Sequence, residues 1–366
     1  MKIAFKAILL ILLVFGGQLQ AINPDSVAKK SIWVSARFSH GFIIPHHRSM
    51  EVFTRNHVEV FEASVCFARK KMAGSDLGDS RWGVSYLYSS LSDTRILGDV
   101  HALVPYVEWT LLQGDFKFTT QAGLGLAWVT NPFNLQTNYR NTAIGSHLNA
   151  AIALGAGVSY QTTPRWIWSA GMSFIHFSNG SSRQPNYGIN LPLVYGGVSY
   201  NLINRTDYRK REVDSKAFNR FLVAMQWVGG SKEVFPVGGP SYFSTLGALQ
   251  AGYRLRGSMA VIASFDVSYN SSDRDFLEQK GVVVANNSEI VKTGVSLGFE
   301  KSAGRLNFGF RFGRYLHQLE VSDGWYYDAL SFSCRVVAGL QAGILLKTHF
   351  ARADFIGFGL TYQFEF

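Results

Sequence analysis

The chain has 366 residues, a formal net charge of +10, 16% charged residues, 14% aromatics and 36 glycines. Globular domains usually carry about 25% charged residues, so this chain is poor in charge and rich in rings. Beyond Ala21 no apolar run approaches the ~20 residues that a membrane-spanning helix needs, which leaves a membrane barrel with its oil spread over alternate residues.

The opening segment MKIAFKAILLILLVFGGQLQA sets basic Lys2 and Lys6 before an apolar stretch at 7–15 and small residues ending at Ala21. That order is the form of a cleaved secretory signal. No cysteine follows the apolar stretch, which argues against a lipoprotein anchor. Export also argues against nucleic acid as the partner of the positive charge and favours lipopolysaccharide phosphate.

Alternation of period two predicts strands at 31–44, 58–69, 82–91, 99–113, 114–130, 147–161, 165–179 and 188–202. In the fifth, Phe116, Phe118, Ala122, Leu124, Leu126 and Trp128 oppose Lys117, Thr119, Gln121, Gly123 and Gly125. In the sixth, Leu148, Ile152, Leu154, Val158 and Tyr160 oppose Asn149, Gly155, Gly157, Ser159 and Gln161. His46 and His47, beside Arg48 between the first two strands, have no acid or cysteine to complete a metal site and read as loop. The polar stretch 131–146 carries no motif and is placed to shape lipid access.

The seventh strand raises the functional question. An exported chain starts in the periplasm, so odd-numbered strands run outward. Trp166 and Trp168 begin this one as an interfacial girdle would, and His176 and Ser178 end it near the outer leaflet. Parity puts Trp166, Trp168, Ala170, Met172, Phe174, His176 and Ser178 on one face, opposite Ser169, Gly171 and Ser173. That face is the lipid side. Residues two apart lie about 6.6 Å apart along a strand, within reach of an imidazole leaning over a hydroxyl. A base and a nucleophile facing acyl chains point to hydrolysis of a lipid ester.

The segment HFSNGSSRQPNYGIN (176–190) resembles the active-site segment of the lipid A 3-O-deacylase family, PagL-like outer-membrane esterases. The shared pattern is His-x-Ser-Asn, then Pro-Asn-x-Gly-x and an acid. The resemblance covers about 165–202 closely, with barrel similarity from about residue 31; residues 203–366 have no counterpart in short family members. It implies an eight-stranded outer-membrane barrel that removes the 3-position acyl chain of lipid A without metal or cofactor. It also implies Ser178 as nucleophile, His176 as general base, and Asn179 and Asn186 as motif amides, with Asn186 helping to hold the oxyanion. Arg183 would contact a lipid A phosphate or stand as a solvated loop arginine. Asn190 occupies the place of the family's glutamate. Three outcomes stay open there: orientation of the imidazole by an amide, as in Cys-His-Asn hydrolases, substitution by another carboxylate, or weak or lost activity.

The stretch INRTDYRKREVDSKA (203–217) has eight charged residues in fifteen and reads as a periplasmic connection. Further strands are predicted at 219–232, 241–256, 257–270, 290–302, 303–316, 325–336, 338–348 and 354–366. In one, Leu306, Phe308, Phe310 and Phe312 oppose Arg305, Asn307 and Arg311. SAGMSFIHFSNG in the first half resembles QAGILLKTHFARADF in the second. There His349 lacks a serine partner, Ala351 stands in the serine's place, and the spacing is one residue longer. At the end, Ile356, Phe358, Leu360, Tyr362, Phe364 and Phe366 alternate with Gly357, Gly359, Thr361, Gln363 and Glu365, which resembles the C-terminal signature of outer-membrane barrels and makes the barrel-assembly machinery an expected partner. Cys66 and Cys334 show no pairing motif.

The expectation is an all-β, transmembrane antiparallel outer-membrane β-barrel of about 16 strands; one large ring is slightly preferred over two eight-stranded barrels, and both leave no strand edge in lipid. Its parts are a signal peptide (1–21), a site-bearing half (22–202), the charged connection (203–217) and a second half (218–366). The expected function is a serine esterase in the outer membrane of a Gram-negative cell, acting on lipid A of lipopolysaccharide among the outer-membrane lipids. The rival is a non-catalytic barrel, a porin-like channel or structural protein, since sixteen strands in one ring enclose water.

Overall fold

The computed structural model describes residues 30–45, 47–69, 80–112, 114–203, 220–234, 236–255, 259–303, 305–350 and 352–366. The signal segment, His46 and all but the first residue of the charged connection lie outside these residues. The first half forms β1 (Lys30–Gly41), β2 (Val58–Arg69), β3 (Ser80–Ser90), β4 (Asp99–Leu112), β5 (Phe116–Val129), β6 (Leu148–Gln161), β7 (Trp166–Ser178) and β8 (Ile189–Asn201). The second forms β9 (Phe221–Glu233), β10 (Ser241–Arg254), β11 (Met259–Asn270), β12 (Lys292–Ala303), β13 (Leu306–His317), β14 (Tyr326–Val337), β15 (Leu340–His349) and β16 (Arg352–Glu365). Among the described residues no helix is long and apolar enough to cross a membrane.

The sheet closes twice. β1 pairs antiparallel with β8, with Trp33 opposite Asn201 and Gly41 opposite Leu193. β16 pairs with β9, with Gly357 opposite Gly230 and Glu365 opposite Leu222. The preference for one large ring is therefore corrected: the chain makes two closed eight-stranded barrels. The reason lies inside the first. Ile175, Phe177, Ile189 and Leu191 point inward and pack with Met50, Phe53, Leu91, Leu97 and Ile144, which come from the loops. An eight-stranded lumen is narrow enough for side chains to fill, whereas a sixteen-stranded ring would leave these groups in water. The ground for a wide aqueous pore goes with it.

Outward faces carry the alternation seen in the sequence. On β7, Trp166, Trp168, Met172 and Phe174 are exposed, whereas Ile167, Ile175 and Phe177 are buried. The connections 42–45, 47–57, 91–98, 130–147 and 179–188 all gather at one end of the first barrel, while 114–115 and 162–165 lie in short links at the other. Long outer loops and short periplasmic turns are the usual asymmetry of such barrels.

The two interiors differ. Deeper in the first barrel, Arg37 donates to Gln121 Oε1 (2.7 Å) and faces Glu108 (3.4 Å) and Glu62 (3.9 Å). The second carries two charged groups around a small apolar layer of Val228, Leu246, Ala329, Leu345 and Phe355: Asp354 takes Lys232 (2.6 Å) and Lys347 (3.0 Å), and Asp266 accepts from Ser264, Ser296 and Tyr327. One of its outer loops folds as α1 (Ser272–Gln279), absent from the sequence expectation. The barrels touch through their walls, where Leu124, Ala150 and Ile152 meet Leu306, Phe308, Phe332, Ile344 and Ile356. Cys66 is buried in one barrel and Cys334 exposed on the other, both as free thiols.

Candidate active site

β7 and β8 are in register such that His176 lies directly opposite Asn190. Side chains of directly opposed residues stand close enough to interact, and His176 Nδ1 lies 2.6 Å from Asn190 Oδ1. With the amide oxygen as acceptor, Nδ1 carries the proton and Nε2 keeps its lone pair. That is the tautomer a general base needs.

Ser178 follows on the same outward face, at the end of β7. It is 4% exposed. Across β6 its partner is Ala150, whose single methyl leaves space beside the hydroxyl, and the partner of His176 is Ile152. On the other side the chain folds back at Gly188, held at φ +77°. A Cβ there would lie 2.7 Å from His176 Cε1 and 3.3 Å from Nε2. Glycine is thus required twice at this position, for its backbone angle and for the space the imidazole takes.

The turn after Ser178 is tightly stapled. Asn179 is buried; its N–H donates to Asn186 Oδ1 (2.9 Å) and its Nδ2 donates to the Arg183 carbonyl (2.8 Å). With Oδ1 so committed, Asn186 offers its Nδ2–H groups as donors. Arg183 is exposed, and its backbone N–H closes the turn on Asn179 Oδ1 (3.4 Å). Gly180 and Ser181 both take positive φ. Thus His176 and Asn190 are joined, Ser178 is next along the wall, and Asn179 and Asn186 are bonded to each other.

Several supports escaped the sequence reading. His47 caps the 3-10 turn Arg48–Thr54 and stacks on Tyr187 with ring centroids 4.2 Å apart. Loop 131–146 is an internal brace: buried Asn141 donates to the Asn131 carbonyl and accepts from the N–H groups of Ala143 and Ile144. The Ala143 carbonyl then takes the Gly188 N–H (2.8 Å). The signal available was its asparagine content, since asparagine side chains bond nearby backbone and favour turns. The second barrel also reaches the site, through contacts with Gly180, Ser181 and Gln184. No local pattern could announce those.

The second-half counterpart, His349, is buried and bonds Tyr315 through Nε2 (3.0 Å). With Asp323 and Asp354 it is the metal-like group found among the described residues. Asp354 is already held by two lysines, so the set is an ion-pair cluster with its negative charge met.

Two family models match the chain. The lipid A 3-O-deacylase (PagL) model covers residues 67–215, and the acyloxyacyl hydrolase, C-terminal domain, model covers residues 220–365. No curated protein matches it. Among solved structures, the outer membrane enzyme PagL is 19% identical, with 44% of this chain and 97% of that one covered, at a TM-score of 0.31. Neisserial surface protein A is 14% identical over 47% of this chain and 98% of its own, at a TM-score of 0.34. A mutant porin of Rh. blastica is 9% identical over 92% and 100%, at a TM-score of 0.20.

Proposed function

Because the chain belongs to the lipid A 3-O-deacylase (PagL) family, we propose that it is a serine esterase of the Gram-negative outer membrane that removes an ester-linked acyl chain from lipid A. The observation that carries this reading is the 2.6 Å contact between His176 and Asn190, one step along the outward wall from Ser178. His176 Nε2 takes the proton of Ser178, and the freed Oγ attacks the ester carbonyl. Asn186 Nδ2–H and nearby backbone amides hold the oxyanion, each such donor lowering the barrier by about 3–4 kcal/mol. His176 returns the proton to the departing sugar hydroxyl; water then cleaves the acyl-enzyme and the fatty acid leaves.

Asn190 takes the glutamate's place as orienter. It sets the tautomer through Oδ1 but brings no negative charge to the imidazolium that forms. The reaction needs no cofactor. The exposed guanidinium of Arg183 is available to a lipid A phosphate. Insertion of the double barrel falls to the barrel-assembly machinery, through the alternating face of β16.

Mass spectrometry of lipid A incubated with the purified protein tests the proposal. The native chain is expected to release one acyl chain, and Ser178→Ala to lose at least about 10³-fold in rate. An unchanged lipid A profile with both proteins, in detergent and in bilayers, would overturn it.

A further inference from the structure

The second barrel stands against the proposed site at three places. Gly180, two residues past the nucleophile, lies so near Ile356 that a Cβ at 180 would sit 2.5 Å from the isoleucine Cβ. The Ser181 carbonyl accepts from the Glu233 N–H (2.8 Å), and Ser181 Oγ donates to the Ala353 carbonyl (2.9 Å). Gln184 Nε2 donates to the Glu233 carbonyl (3.2 Å). The turn that follows Ser178 is therefore held by the outer ends of β9 and β16.

Below this clamp the walls meet. Ala150 and Ile152, the direct partners of Ser178 and His176 on β6, belong to one apolar cluster with Phe308, Phe332, Ile344 and Ile356 of the second barrel. On the β6 flank the hydroxyl and imidazole are closed off by protein. Away from the seam the wall is open to lipid, with Met172 and Phe174 of β7 and Val194 of β8 exposed. A lipid ester reaching Ser178 enters over the outward face of β7 from the β8 side and extends toward the seam, where Ile356 is partly exposed.

We propose that the C-terminal barrel is a working part of the esterase site: its rim positions the turn after Ser178, and Ile356 is a specificity-determining wall for a long acyl chain. This rests on the esterase reading above and adds the acyl-side determinant to it. A long chain gains from the apolar wall by burying methylene groups, and a short acyl group does not reach it.

The test uses the full-length protein in detergent micelles with p-nitrophenyl butyrate and p-nitrophenyl palmitate as probes. Ile356→Ala is expected to lower kcat/KM for palmitate about tenfold through KM, with butyrate changed less than about twofold. Ile356→Val is expected to restore most of the long-chain rate. Equal losses on both esters, or no loss on either, would show Ile356 to be merely structural or idle and would overturn the inference alone. A native protein that cleaves neither ester would overturn the esterase reading and this one with it.

Discussion

β7 and β15 hold the same place in their barrels, each the seventh strand, and each ends near a His-Phe pair after an Ala-Gly. One imidazole points out and the other in. From Gly171 to His176 is five residues and from Gly343 to His349 is six. On a strand that single step moves a side chain to the opposite face. His176 consequently meets Asn190 on the lipid side, while His349 meets Tyr315 within the lumen. Chemistry on a barrel wall is decided by parity before it is decided by residue type.

The comparison gives the second lumen a structural role, apart from the rim of that barrel that touches the site, and substitutions can break it. The largest effect is expected for Asp354→Asn, which leaves Lys232 and Lys347 buried without their shared carboxylate. Breaking a buried pair in this way costs about 3–5 kcal/mol. Denaturant unfolding should register that loss, while the rate of ester cleavage by the remaining folded protein stays near native. A parallel collapse of kcat in folded protein would show that the second lumen takes part in the chemistry.

A smaller but more local effect is expected for Gly188→Ala. The new methyl would crowd His176 Cε1 in a backbone conformation that alanine resists. Strain of about 1–2 kcal/mol and a displaced imidazole should together lower kcat about hundredfold. Native kcat in this variant would mean that the ring does not act from its observed position.

Asn190→Glu sharpens the same point in the other direction. A hydrogen bond to a charged partner is worth about 1 kcal/mol more than a neutral one, so the carboxylate should raise kcat about fivefold at neutral pH. A fall in kcat would indicate that the amide is the better orienter in this site.

The alternation of oily and small residues made the strands legible to within about three residues: β2 was expected at 58–69 and spans Val58–Arg69, while the first was expected at 31–44 and spans Lys30–Gly41. It also placed His176 and Ser178 on the outward face, as β7 shows in the exposure of Trp168 and Met172. Closure was not legible, because alternation tells which face a residue takes and says nothing of which strand completes the ring. The inward Ile175 and Phe177 were the hint, since apolar groups facing into a lumen favour a narrow filled barrel. Nor could the seam be read, since Gly180 and Ile356 are far apart in sequence and neither belongs to a motif. The braces from Asn141 and His47 were hidden for a related reason: single polar residues in a loop declare their partners only once the loop is folded.

The most direct test of the outward Ser-His-Asn wall is covalent trapping in a bilayer with a long-chain alkyl fluorophosphonate, followed by peptide mass spectrometry. The label should sit on Ser178 in the native protein and be absent from His176→Ala. Labelling of another residue, or equal labelling of both proteins at Ser178, would contradict the account.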